Sequence, residues 1–296
     1  MKKFFLFFFS VVLTACYLQA QPQPVSELRF HESFVENFDG PTPAFFTMST
    51  RAGANDDRYS SGINSQSETG TNIMLLKIDP KEPAGPENGP VISSKWFTHY
   101  GTYTARVRIP DVTKIQPNVG AVVSFYTYQM DNIHGISKFG IEWLIANPTI
   151  ICFFTSTGSS DKQQRFDRVI NLANGIVFGA NQPETVRPVE NYNAASQFYT
   201  YGFDWYPDRI VWWMNHPITE VKTVLWEYKA GSTPGFEGVP VNPAHFLFNF
   251  RHSNDLSVEI NRNAIEAPIN PYTLEIDWMS YTPFDDLNKA YQQQNK

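Results

Sequence analysis

Tyr100-Gly101-Thr102-Tyr103-Thr104-Ala105-Arg106-Val107-Arg108-Ile109-Pro110 reads as a half-buried β-strand. Tyr103, Ala105, Val107 and Ile109 fall on one face, and Thr102, Thr104, Arg106 and Arg108 on the other. That is period two, closed by a proline. The signal recurs outward in both directions, weakly over 73–78, then over 119–128, 139–145, 149–156, 198–205, 210–214, 245–250 and 272–281. No helical periodicity runs longer than about ten residues; 190–196 and 283–295 each have room for a short helix. The stretch 80–90 holds four prolines and two glycines and reads as a surface loop. Many strands, long polar loops and no helix–strand alternation predict an all-β chain, an antiparallel sandwich.

Composition agrees. The chain has 296 residues, 42% apolar and 18% charged, with 24 Phe, 14 Tyr and 7 Trp. This excludes a disordered polar chain, a coiled coil and a collagen-like repeat. Asp and Glu outnumber Lys and Arg by 29 to 23, a net charge of −6 with no basic block, so no nucleic-acid partner is expected. Aromatics on an open sheet face can stack on sugar rings, although such rings also fill cores.

The chain starts MKKFFLFFFSVVLTAC. Lys2 and Lys3 precede an apolar run too short to span a bilayer, which reads as an export signal. Leu13-Thr14-Ala15-Cys16 resembles a bacterial lipobox, in which cleavage before the cysteine frees it for lipidation; the alternative is cleavage after Ala20. Loss of Lys2 and Lys3 takes the net charge from −6 to −8. Residues 1–15 are then the leader and 16–29 a tether that includes the extended QPQP at 21–24. Residues 30–283 are the sandwich and 284–296 a tail. The expected address is the bacterial cell envelope, with the lipid in the outer membrane and the protein a monomer. Cys152, 136 positions beyond Cys16, sits in the apolar run IICFF and reads as an inert core residue.

Several segments together resemble the laminarinase-like glycoside hydrolases of family 16, whose fold is a concanavalin A-like β-jelly roll. Phe38-Asp39-Gly40 resembles the family's opening FDG, and the Tyr100–Pro110 strand its YGxxExRxKxP. Tyr201-Gly202-Phe203-Asp204-Trp205-Tyr206-Pro207-Asp208-Arg209-Ile210 resembles YxxxWxPDxI, though Asn215-His216 stands where a DG turn is usual. Phe246-Leu247-Phe248-Asn249 resembles LxxN, and Ile276-Asp277-Trp278-Met279-Ser280-Tyr281 the closing VDYVRVY.

The resemblance implies an ExDxE or ExDxxE catalytic strand, whose same-face carboxylates supply a nucleophile and an acid/base. Here that strand reads Lys138-Phe139-Gly140-Ile141-Glu142-Trp143-Leu144-Ile145-Ala146-Asn147, with one carboxylate, Glu142. In one register Glu142 is the acid/base, Lys138 replaces the nucleophile and Gly140 the middle aspartate. In the other Glu142 is the nucleophile, while Leu144 and Ala146 replace its partners. Both registers leave the two-carboxylate mechanism incomplete. Asp131, Asp161 and Asp167 are candidates for an imported carboxylate, and His134 for an auxiliary proton donor.

By the same resemblance, Tyr126 stands at a Phe-Trp position that would stack on sugar, and Asn249 lines the groove. Arg106, Trp96 and Trp212 join them as candidate substrate contacts; Trp212 and Trp213 must face opposite ways. Asp277 stands where relatives hold a structural calcium, although one carboxylate is a meagre donor set for a cation that takes six or more oxygens. No cofactor is required. The six histidines lack zinc-ligand spacing, and neither a GxSxG elbow nor a phosphate-binding glycine loop occurs.

Three functions remain open. One is a binder of β-linked polysaccharide or oligosaccharide with hydrolysis lost or altered. The second is an active endo-glycosidase cleaving β-glucan or β-galactan through Glu142. The third is a structural or protein-binding envelope lipoprotein. The lipobox makes its own prediction: mass spectrometry of the native N-terminus finds a lipid-modified Cys16, and Cys16→Ala accumulates an unlipidated precursor. An unmodified N-terminus at Gln21 refutes it.

Overall fold

The structure is a computed structural model that describes residues 28–40, 42–50, 59–63, 72–80, 89–131, 135–159, 162–178, 186–216, 219–232, 238–253 and 266–295. Cys16, His134 and Asp161 lie outside the described residues, as does the side chain of Asp131. The strands are β1 (Phe34–Glu36), β2 (Phe46–Thr50), β3 (Tyr59–Ile63), β4 (Asn72–Ile78), β5 (Pro90–Ser94), β6 (Gly101–Arg108), β7 (Ala121–Asp131) and β8 (Gly135–Leu144). They continue with β9 (Ile150–Gly158), β10 (Gln164–Asn171), β11 (Ile176–Phe178), β12 (Tyr199–Trp205), β13 (Arg209–Asn215), β14 (Lys222–Lys229), β15 (His245–His252) and β16 (Tyr272–Pro283); one helix, α1 (Asp285–Gln294), follows.

The first sheet has the order β14-β13-β12-β6-β16-β4-β3, with β1 also paired to β16; the second runs β11-β10-β9-β8-β7-β15-β5-β2. The pairings are antiparallel. This is the concanavalin A-like β-jelly-roll sandwich that the resemblance implies. The opening strand behaves as its alternation requires: Tyr103, Ala105 and Val107 are buried in the core. Facing them from the second sheet are Phe125, Phe139, Ile141, Trp143, Phe153 and Phe246. Phe139 meets Phe203 and Trp205 at 5.2 and 4.8 Å, Tyr103 meets Phe246 at 5.1 Å, and Trp143 meets Tyr201 at 4.8 Å between ring centres. Much of the aromatic content therefore fills the interior, where the polar tips of the rings find partners. Trp143 Nε1 donates to the Tyr192 hydroxyl, which bonds that of Tyr201 at 2.9 Å.

Of the two expected short helices, one forms. Within the C-terminal segment, Asp285–Gln294 form a docked helix: the Asn288 side chain donates to the Tyr100 carbonyl at 2.8 Å, and Phe284 stacks on Tyr206. Its first turn carries Asp285 and Asp286, where the helix dipole favours negative charge. Residues 190–196 form isolated turns instead. The Asn193 side chain accepts the Ala195 N–H, offering the backbone a local partner in place of a helical ladder.

Two candidate site residues lie on the outer face of the first sheet. Arg106 Nη1 bonds Asp277 Oδ2 at 2.7 Å, with Asp277 fully buried at a bulge in β16. Arg106, expected at substrate, thus lies across the sandwich from β8. The Asp277 carboxylate engages the Arg106 guanidinium, and among the described residues no group of three His, Cys, Asp or Glu is placed to hold a metal ion. Removing one partner of a buried pair strands the other. Asp277→Ala should lower the unfolding free energy by about 3–5 kcal/mol, measured by urea titration. The double variant Arg106→Met, Asp277→Leu should recover most of that loss.

Candidate functional site

Strand β8 is central in the second sheet, paired with β7 from Val122↔Leu144 to Asp131↔Gly135 and with β9 from Ile136↔Gly158 to Glu142↔Cys152. Because Phe139, Ile141 and Trp143 take the core, Lys138, Gly140 and Glu142 must face the other way. The registers arrange the outer face in rows across the strands. Glu142 lies between Ser124 and Cys152, with Asn249 beyond Ser124. Gly140 lies between Tyr126 and Phe154, with Leu247 and Asp167 at the two ends. Lys138 lies between Tyr128 and Ser156, with Arg165 next on β10. Val91, Tyr126, Phe154 and Leu247 form a small apolar cluster here, separate from the main core.

Glu142 is 7% exposed. Its Oε1 accepts from Ser124 Oγ at 3.0 Å and from Arg251 Nη2 at 3.5 Å; its Oε2 accepts from Arg165 Nη2 at 3.2 Å. Burial by itself pushes the carboxyl up, but Arg165, Arg251, Lys138 and the Ser124 hydrogen bond together outweigh burial and hold it down at about 2. Glu142 is an anion throughout the physiological range. Arg165 also donates through Nε to both Asp167 oxygens, at 2.8 and 2.9 Å. One guanidinium therefore bridges two carboxylates. Burial, opposed by Arg165 and reinforced by Glu142, moves the Asp167 carboxyl up. Lys138 Nζ lies 5.3 Å from the centre of the Tyr126 ring and 5.2 Å from that of Phe154. Burial lowers this ammonium to about 8, with Glu142 opposing the shift.

Gly140 is required by close approach rather than by a turn. A Cβ there would lie within 2.6 Å of Tyr126 Cα and nearer still to the Phe125 carbonyl oxygen. Both contacts are backbone atoms of β7, so no rotamer change relieves them.

Of the candidate residues, Glu142, Tyr126 and Asn249 share this face. Tyr126 is 9% exposed, with Lys138 over its ring. The Asn249 amide donates to the Pro90 carbonyl at 3.3 Å. Trp212 is buried in the core, stacked on Trp226 at 4.7 Å, and Trp213 faces outward on the first sheet, its Nε1 donating to Asp204. Trp96 has the Arg29 guanidinium 3.4 Å from its ring centre and His31 at 4.7 Å, so its aromatic surface is already engaged. Residue reasoning did not assign Arg165 or Arg251 to the site, and it left Asp167 unplaced. Cys152 lies in the Glu142 row, half-buried, its thiol pushed up by burial and by Asp167 and Glu142.

Residues 53–235 match the model of the family described as glycosyl hydrolases family 16. A β-glucanase of Bacillus licheniformis is similar in structure at 18% identity and a TM-score of 0.58, over 85% of this chain and 98% of that one. A β-1,3-1,4-glucanase (lichenase) from a mouse hindgut metagenome is similar at 19% identity and 0.56, over 86% and 100%. A family 16 endo-glucanase from Bacteroides ovatus is similar at 14% identity and 0.56, over 84% and 99%. No curated protein sequence matches the chain.

The charge pairing has a measurable signature. A carboxyl depressed on folding contributes stability that is complete above its unfolded value, near 4.5, and is lost as pH falls through its folded value, about 2. In urea titrations the native protein should exceed Glu142→Gln by an amount constant above about pH 5 and on the order of 3 kcal/mol. The difference should shrink between pH 4.5 and 2. A difference that stays constant to pH 2 would mean that the arginines do not hold the carboxylate.

Proposed function

The chain belongs to family 16 of the glycosyl hydrolases, and from that membership we propose an exported carbohydrate-binding protein that recognises a β-linked polysaccharide, its hydrolytic chemistry lost. The observation that carries this reading is the ion cluster around Glu142. Retaining hydrolysis needs a free carboxylate on one side of the scissile bond and a protonated acid on the other. A carboxyl held at about 2 has no proton to give at neutral pH. As a nucleophile it is already engaged by two guanidinium groups and a hydroxyl. Four residues earlier on the same face stands Lys138, a poor nucleophile toward an acetal carbon.

Binding asks less of the face. Tyr126 supplies an aromatic edge, and the charged and amide groups around it supply hydrogen bonds to hydroxyls. In this reading Cys16 carries the lipid, and 16–29 tether the domain at the outer membrane of the envelope.

A second reading, an active endo-glycosidase, draws on Asp167. Its carboxyl moves up while that of Glu142 moves down, the divergence expected of an acid and its ionised partner. Against it, the Arg165 guanidinium occupies the space between the two carboxylates.

Affinity and product release, measured together on native protein and Glu142→Gln, separate the two. A binder retains polysaccharide without releasing reducing ends, and Glu142→Gln weakens affinity by about 1 kcal/mol. Sustained release by native protein, abolished by Glu142→Gln or by Asp167→Asn with affinity intact, establishes the enzyme.

A further inference from the structure

The polarity of the Glu142 face is opposite to that of the molecule. The chain carries −6 overall, yet this face gathers Lys138, Arg165 and Arg251 around Glu142 and Asp167. Both arginines are paired with carboxylates, Arg165 through its Nε and Nη2 and so with Nη1 to spare. Lys138 is not: it is half-buried, touches two aromatic rings, and among the described residues finds no hydrogen-bond acceptor. Beside it, Ser156 Oγ is buried without a hydrogen-bond partner. Ser156 is paired in register with Lys138 on one side and Arg165 on the other, and the Arg165 side chain is 37% exposed. Lys138 and Arg165 thus flank a buried, unpartnered hydroxyl on the strand between them, neighbouring strands being about 4.8 Å apart. Sugar hydroxyls both give and take hydrogen bonds, whereas a row headed by two cations favours a group that only accepts.

We propose that the row Lys138–Ser156–Arg165 is a subsite for an anionic substituent of the glycan, either a uronate carboxylate or a sulfate ester. This rests on the carbohydrate-binding reading and narrows it to charged polysaccharides. Glu142 does not repel the anion, because its own charge is already met by Arg165 and Arg251. A cation desolvated beside aromatic rings gains more from an anion than one in open water.

Calorimetry on the full processed chain tests this with three size-matched ligands: a neutral β-linked gluco-oligosaccharide, an oligouronate and a sulfated galacto-oligosaccharide. At least one anionic ligand should bind about tenfold tighter than the neutral one, the scale of one charge-assisted hydrogen bond. Added salt should weaken that preference. Lys138→Gln should remove it and Lys138→Arg should keep it, with thermal melts confirming that both variants fold. Which of the two anions binds tells carboxylate from sulfate. Equal affinity for neutral and anionic ligands, or an anionic preference indifferent to both salt and Lys138→Gln, overturns the anionic subsite while leaving glycan binding in place. Binding of none of the three overturns both.

Discussion

Strand β8 has neighbours on both edges and a packed sheet behind it, so each of its side chains has only two directions available. Phe139, Ile141 and Trp143 close the core against Phe203, Trp205 and Tyr201 of the opposite sheet. Slipping β8 by one residue would drive Lys138 and Glu142 into that aromatic interior and expel Phe139, Ile141 and Trp143. The outer face is therefore fixed by the inner one. Whatever stands at 138, 140 and 142 is presented together, and the rows of β7, β9, β10 and β15 are aligned on it.

Burial of Glu142 then dictates the chemistry around it. An unpaired carboxylate at 7% exposure would protonate rather than remain charged. Two arginines, a lysine and a serine reverse that tendency. The same contacts that keep the carboxylate charged engage its oxygens, so electrostatic stabilisation and catalytic availability oppose one another here. In the catalytic strand that family resemblance implies, neighbouring carboxylates tune each other by repulsion. On this strand cations do the tuning, which changes what the face can attract.

The strands that carry the framework were legible because one of their faces is wholly apolar. β6, β8, β12, β13, β15 and β16 all lie within or across stretches where alternation, or an apolar run, is written plainly. β1, β2, β3, β5, β10, β11 and β14 lie outside the stretches that alternation marks. For β10 and β14 the reason is shared: both are largely exposed or half-buried, with QRFDRVIN and KTVLWEYK presenting little contrast between faces. At the site, resemblance located Glu142, Tyr126 and Asn249, and alternation explains why they share a face. The arginines escaped because their role depends on register across strands. Arg165 lies 23 residues from Glu142 and Arg251 109, and no local pattern marks either as its partner. Arg106 and Trp212 show the converse. Their strands were read correctly, but a strand's own alternation does not say which of two sheets it joins.

Gly140 limits what a substitution on this face can achieve. In the register that makes Glu142 the acid/base, Gly140 occupies the place of a middle aspartate, yet the β7 backbone at Phe125 and Tyr126 now sits where any side chain would begin. Exchanging this one residue therefore cannot complete a row of carboxylates beside Glu142, because the β7 backbone occupies the place of the new Cβ. An aspartate at 140 would first require β7 to move, and β7 is held on its far edge by β15 from Tyr128↔His245 to Ala121↔His252. The spacing between two backbones, rather than the choice of one side chain, thus sets which groups this face can carry.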